Sequence, residues 1–175
     1  APLGVLKATT DMESISQFAA RCKDRAVSAH SLLALWDDVE HFRRAAVGDE
    51  RKVADRMLYG FLVTLGSYSV ESLPRYQQQD RIEELVKLYK EDPSSGVHGA
   101  TGWLLRQWGQ HEAVEQIDNT PVPYDPKREW FVQRFEPTVD RAGAKLANPQ
   151  PFPVTFIVFP AGQHQIGSPT HEKDR

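Results

Sequence analysis

Proline placement constrains this chain more than any other feature. Nine of its twelve prolines (Pro121, Pro123, Pro126, Pro137, Pro149, Pro151, Pro153, Pro160 and Pro169) lie in the last 55 residues, and only Pro2, Pro74 and Pro93 interrupt the first 120. A proline inside a helix removes a backbone donor and collides with the preceding turn, at about 3 kcal/mol. Helix is therefore expected before position 119 and disfavoured after it, with the boundary at Asn119 to Pro126.

Upstream of that boundary the apolar spacing is helical. Met12, Ile15, Ala19 and Cys22 step by three and four, as do Leu32, Leu35, Trp36, Val39, Phe42 and Ala46. Val53, Met57, Leu58, Phe61, Leu62 and Leu65 form a denser stripe, with Gly66 expected in the left-handed C-terminal position. Ile82, Leu85, Val86 and Tyr89 follow Asp80, the expected N-cap with Glu83 as its capping-box partner, and Pro93 closes that helix. Val97, Ala100, Thr101, Leu104, Leu105 and Trp108 complete another stripe, capped by Ser94 or Ser95 and stopped at Gly109. Each helix is short and amphipathic, so each must bury its face on a neighbour.

Two segments echo each other. Gly60 to Gly66 and Gly102 to Gly109 end 43 residues apart, inside the roughly 40 to 47 residues of HEAT or armadillo units. Stacked helix pairs of that kind share one continuous core. The expected fold is mainly α, a HEAT-like or irregular helical bundle over 10–118, with a Pro-rich linker at 119–129.

Beyond the linker the period changes to two. Trp130 to Phe135 reads as a half-exposed strand. Val154 to Phe159 is a nearly continuous apolar run, expected to be buried on both faces. A turn at Pro160-Ala161-Gly162 leads into a returning strand at Gln163 to Ile166, ended by Gly167-Ser168-Pro169. So apolar a hairpin needs more strands or a covering layer, and only eight residues follow Gly167. The β part, 130–175, is expected to be the start of a domain cut short. Ala1 in place of Met and the charged stretch ending at Arg175 point the same way, toward a piece of a larger protein.

Charge and cysteine content narrow the function. The 21 basic and 24 acidic residues leave a net charge of −3, too mild for a phosphate-binding surface, so nucleic acid is not an expected partner. The one cysteine, Cys22, excludes an internal disulfide framework and a zinc site with two thiolates from this chain. No apolar run approaches the roughly 20 residues of a membrane helix, and no basic-then-apolar leader opens the chain. A soluble, cytoplasmic protein is the expectation.

The β segment also carries a family resemblance. Phe156-Ile157-Val158-Phe159-Pro160-Ala161-Gly162, then Ile166-Gly167-Ser168-Pro169 and His171-Glu172-Lys173-Asp174-Arg175, resembles the opening of the formylglycine-generating, sulfatase-modifying factor domain. That opening runs as an apolar strand, a Pro-Gly or Pro-Ala-Gly turn, a Phe, Met-Gly-Ser and an acidic stretch ending in Arg. His164 stands at the Phe position and Ile166 at the Met position. Leu88 to Ala100 with Trp103 to Gly109 is similar to the helical region that precedes this domain in large planctomycete-type bacterial proteins, some of which carry a protein kinase domain; Gly102 replaces an acidic residue there. Trp130-Phe131-Val132 looks like the domain's first strand. The resemblance implies a parent that uses a cysteine pair with copper, plus structural calcium. The residues for that chemistry would lie downstream of these strands, so no cofactor is assigned to this chain and Cys22 is not carried over.

The remaining chemistry-bearing residues read as structural, and no catalytic, cofactor-binding or metal residue is assigned. Cys22 sits on an apolar stripe, as a buried thiol does, although Arg21, Lys23 and Arg25 flank it. His30, His41, His98, His111, His164 and His171 form no His-x-x-x-His pair, and His111-Glu112 lacks the second histidine of a zinc-protease helix. His98, beside Gly96 and Gly99, is expected to bridge to the preceding helix. Asp37, Asp38 and Glu40 with His41, Arg43 and Arg44 read as local pairs on a solvated face, and Glu83 with Lys87 as a helix pair. Trp103 and Trp108 read as core, the former facing an adjacent repeat or the second domain. Nucleotide-binding, triad and kinase signatures do not occur. The expected function is that of a spacer or docking module, its partner a protein held by the helical segment. The other reading is a helical-repeat scaffold with no parent enzyme.

Overall fold

The computed structural model describes residues 21–22, 24–139, 142–145, 147–159 and 161–162. Within them the chain is mainly helical, followed by a small antiparallel sheet. Helix α1 (Ala29–Ala45) starts where the Ser28 hydroxyl accepts from Ser31 N–H at 3.1 Å, and ends with Arg43 and Arg44 beside its exposed carbonyls. Gly48, at φ +58°, makes the turn into α2 (Asp49–Leu65), whose first turn carries Asp49 and Glu50. A 3₁₀ turn (Val70–Ser72) then leads to α3 (Arg75–Glu91), α4 (Ser95–Gln107) and α5 (His111–Asp118).

The stripes read from the sequence meet in one core. Leu32, Met57, Leu58, Phe61, Leu62, Leu65, Leu85, Val97, Leu104 and Leu105 are all essentially inaccessible, and Trp36 meets Phe61 edge-on at 5.7 Å between ring centres. The two echoing segments, the ends of α2 and α4, pack on each other. The Trp108 indole N–H donates to Tyr68 O at 2.9 Å, while Tyr68 Oη donates to Val27 O at the same distance. The Met12, Ile15 and Ala19 stripe lies outside the described residues.

Two expected helix ends are corrected. Gly66 is not left-handed: its φ is −66°. Glycine is required there because a Cβ would stand 2.1 Å from Cζ3 of Trp103, whose ring lies across it. Asp80 does not cap α3, which begins a turn and a half earlier at Arg75. Pro74 supplies a fixed φ of −55° at the cap, and the Gln78 amide donates to Leu73 O at 2.9 Å. The polar run Gln77–Gln79 shows no apolar stripe, yet glutamine suits a helix well. Pro93 and Gly109 do end their helices, the latter at φ +74°.

Strands β1 (Trp130–Phe135) and β2 (Phe152–Ile157) pair antiparallel, from Trp130 opposite Ile157 to Phe135 opposite Phe152. Val158 N–H donates to Glu129 O at 2.7 Å, and Val122 and Val132 exchange N–H···O bonds of 3.0 Å on the other edge of β1. Alternation along the ladder then turns the backbone groups of Pro153, Thr155 and Ile157 away from β1, onto an edge that pairs with no other strand among the described residues. Pro153, with no N–H to offer, is tolerated at such a position. Phe131, Phe135, Phe152 and Phe156 share one face, where Phe131 stacks on Phe156 at 4.9 Å; Trp130 and Val132, on the other, are buried.

The expectation that the second strand is buried on both faces is wrong. Phe152 is 47% exposed, Ile157 44% and Phe159 72%, because no described layer covers the sheet beyond the Trp130 end. The returning strand expected at Gln163 to Ile166, and the Gly167-Ser168-Pro169 stop, lie outside the described residues.

Candidate functional site

Helices α1 and α3 face each other across an open groove of about 490 Å³. Trp36, Asp37, Glu40 and Arg44 line it from α1; Arg81, Glu84, Lys87, Leu88 and Glu91 line it from α3; Asp92 and Pro93 close one end. Arg81 bridges the opposite end, with Nη2 3.0 Å from Asp37 and Nη1 2.8 Å from Glu84, its guanidinium 5.2 Å from the Trp36 ring centre. Burial opposes the Arg81 charge, but these carboxylates outweigh it and hold the group above its ordinary pKa.

Beneath the other end lies a buried charge cluster. Arg43, only 5% exposed, sets Nε 2.6 Å from Asp55 Oδ1 and Nη2 2.6 Å from Asp92 Oδ2. Arg51 Nε adds a 3.0 Å contact to Asp55, and Asp92 Oδ1 accepts from Ser94 N–H at 2.9 Å. Burial works against the Arg43 charge, yet Asp92 and Asp55 raise its pKa above the ordinary value. Glu40 borders the same cluster and is not matched: its Oε1 has no hydrogen-bond partner among the described residues. Burial, with Asp92 adding to it, pushes the Glu40 carboxyl up against the opposing pull of Arg43, Arg44 and Arg51.

The acidic run on α1 is therefore not the locally paired, solvated face expected from sequence. Asp37, Asp38, His41 and Arg44 are exposed, but Asp37 reaches across to Arg81 on α3, and Arg43 turns inward to α2 and the α3–α4 junction. Glu83 accepts from the Gln79 amide at 2.9 Å, and among the described ion pairs none joins it to Lys87.

A second feature fastens the sheet to the helices. His98 is buried between Tyr89 and Trp130, with ring centres 4.3 and 3.7 Å away, both stacked. Its Nδ1 lies 2.8 Å from Tyr89 O, so Nδ1 carries the proton and donates; this is the expected bridge to the preceding helix. Burial lowers the His98 pKa, opposed by the Tyr89 carbonyl and Asp118. Tyr89 Oη donates to Asp118, which Arg106 Nη2 also approaches at 2.8 Å; burial first and Asp118 second push the phenol up to about 12. The Trp130 indole N–H donates to Asp92 O at 2.8 Å, and Arg128 lies over its other face at 4.5 Å. Glu129 caps α4 from outside, accepting from Ser95 N–H at 2.9 Å and Ser95 Oγ at 3.1 Å.

The other residues singled out by sequence are not brought together. Cys22 is buried and its thiol is pushed up by that burial, the opposite of an activated nucleophile. His30, His41 and His111 are exposed and separate, while His164 and His171 lie outside the described residues. Among the described residues no three His, Cys, Asp or Glu side chains are placed to hold a metal ion, and no helix is long and apolar enough to cross a membrane. Sequence reasoning missed Arg43, Glu40, Glu129 and Trp130 as organising residues. Arg43 alone left a signal, since it falls on the inward stripe between Val39 and Ala46.

Comparison with known proteins adds no relative: no family model, curated protein or solved structure matches this chain.

Proposed function

We propose that the helical unit is a docking and spacer module that carries, rigidly attached, the opening strands of a second domain. One observation carries the reading: the β1–β2 sheet is locked to the helices at Trp130, yet among the described residues it leaves an aromatic face and a hydrogen-bonding edge open. Two strands are marginal alone, and an open edge is a template for further strands. In this reading the second domain is of the sulfatase-modifying kind, as the Phe156 to Gly162 segment suggests, and its chemistry resides in residues other than those described.

Sequencing the gene past codon 175 tests the proposal. A coding continuation with further strand-forming segments is expected, and a downstream cysteine pair would assign oxidase chemistry to the parent. A stop codon directly after Arg175 overturns the carrier role. The second reading, a helical protein-binding scaffold with no enzyme attached, draws on the α1–α3 groove and survives that outcome.

A further inference from the structure

Each outer edge of the β1–β2 sheet meets proline. On the β1 side, Val122 exchanges N–H···O bonds with Val132, and its neighbours Pro121 and Pro123 have no N–H with which to extend that pairing. On the β2 side, the bond from Val158 N–H to Glu129 O sets the phase of the ladder, so Pro153, Thr155 and Ile157 turn their backbone groups outward. Among the described residues no strand meets that edge. The segment behind it is one that pairs readily. Val154 to Phe159 is six residues without charge or proline, every one of them β-branched or aromatic, which is the composition of segments that join strands between molecules. Edges of this kind are commonly protected by charged side chains, but Thr155 and Ile157 are exposed and uncharged. The protection falls to proline, and Pro153 and Pro160 bracket the segment in the sequence.

The simplest way for two copies to meet along β2 is antiparallel, about a two-fold axis. With the axis at Thr155, the two threonines exchange N–H···O bonds and Pro153 of one copy faces Ile157 of the other. Ile157 N–H then reaches Pro153 O, but Pro153 has no N–H to return, and its ring carbon stands where the donor hydrogen would be. The Ile157 carbonyl is left without a partner inside the joint, and symmetry repeats the loss on the other side. Shifting the axis by one residue sets Pro153 opposite Thr155 or Phe159, where the same donor is missing.

We propose that Pro153 guards this edge: it keeps two copies of the chain from joining their sheets through β2, and so leaves the edge to strands of the same polypeptide. That purpose rests on the carrier reading, but the guard does not. Association is read from the protein and continuation from the gene, so a stop after codon 175 would remove the carrier role and leave the guard standing.

Pro153→Thr restores the donor with a residue that favours strands. Sedimentation velocity over a concentration series compares it with the native 175-residue chain. The native chain is expected to remain monomeric, and P153T to self-associate ~10-fold more tightly or better, because a donor returns on each side of the axis. Single-site amide exchange locates the joint: Thr155 and Ile157 should gain protection in P153T as its concentration rises, and not in the native chain. Adding Thr155→Lys to P153T sets like charges against each other at the axis and is expected to return the monomer. Circular dichroism of each variant reports whether the fold is intact. A folded P153T that stays monomeric at every concentration would overturn the guard, as would a native chain already paired through Thr155 and Ile157. Association that protects neither amide, or that T155K leaves unchanged, would overturn the edge as the joint. If P153T does not fold, Pro153→Ala restores the donor without a branched side chain and is held to the same outcomes.

Discussion

Replacing Trp130 with alanine removes the buried side chain at the centre of the contact between the sheet and the helical core. The indole is 1% exposed, stacks on His98 at 3.7 Å, accepts Arg128 on its other face at 4.5 Å and donates to Asp92 O at 2.8 Å. Truncating a buried aromatic to alanine costs about 3–5 kcal/mol. The Asp92 carbonyl that loses its donor sits at the C-cap of α3, where an unsatisfied buried group costs about 1–3 kcal/mol, which places W130A toward the upper end of that range. Urea unfolding followed by helical circular dichroism measures the change. W130F separates the contributions: it keeps a ring on His98 but loses the N–H, so roughly 1–3 kcal/mol of destabilisation is expected. A loss under about 1 kcal/mol for W130A would refute the reasoning, since truncation at this site would then lie well outside the burial range, and the stack would be a contact without energetic weight.

Arg43→Met leaves Asp92 buried without its cation and Asp55 with Arg51 alone, so about 3–5 kcal/mol of stability should be lost in the same assay. Two glycines on α4 should respond with opposite signs. Gly99→Ala meets nothing within 4 Å and should stabilise by about 0.4–1 kcal/mol, while a Cβ at Gly102 would stand 2.6 Å from the Tyr89 ring and should cost about 1–3 kcal/mol, both read from melting curves. The His98 pKa is lowered on folding, so the unfolded chain binds the extra proton first: the contribution of His98 is complete above its unfolded value of about 6.5 and is lost as pH falls below it. Stability measured from pH 7.5 to 5 should decline more steeply in the native chain than in His98→Asn, and parallel curves would show that His98 does not couple to folding.

The proline partition placed the change from helix to strand, and apolar spacing found the core because both are local consequences of backbone sterics and burial. The span of β1 was readable to the residue, since Trp130 to Phe135 is rich in aromatic and β-branched residues and lies between Glu129 and the Glu136-Pro137 stop. What sequence could not show was pairing at a distance. Asp37 and Arg81 are 44 residues apart, and Ser95 and Glu129 are 34 apart, and no spacing rule joins them. Gly66 illustrates the same limit: its glycine character was legible, but the reason lay in Trp103, a residue on another helix. The apolar run around Val154 to Phe159 was read as buried because such composition usually is. Composition reports what a strand would prefer, and the described chain supplies no layer to satisfy it.

The most direct measurement is hydrogen exchange in the native state, followed at single sites. A sheet bolted at one end, with one edge unpaired among the described residues, predicts that the Trp130 indole N–H, bonded to Asp92 O, exchanges as slowly as core amides of α2 and α4, while the Thr155 and Ile157 amides on that edge exchange rapidly. An indole that exchanges as fast as Thr155 would contradict the rigid attachment, and slow exchange at Thr155 and Ile157 would contradict the open edge.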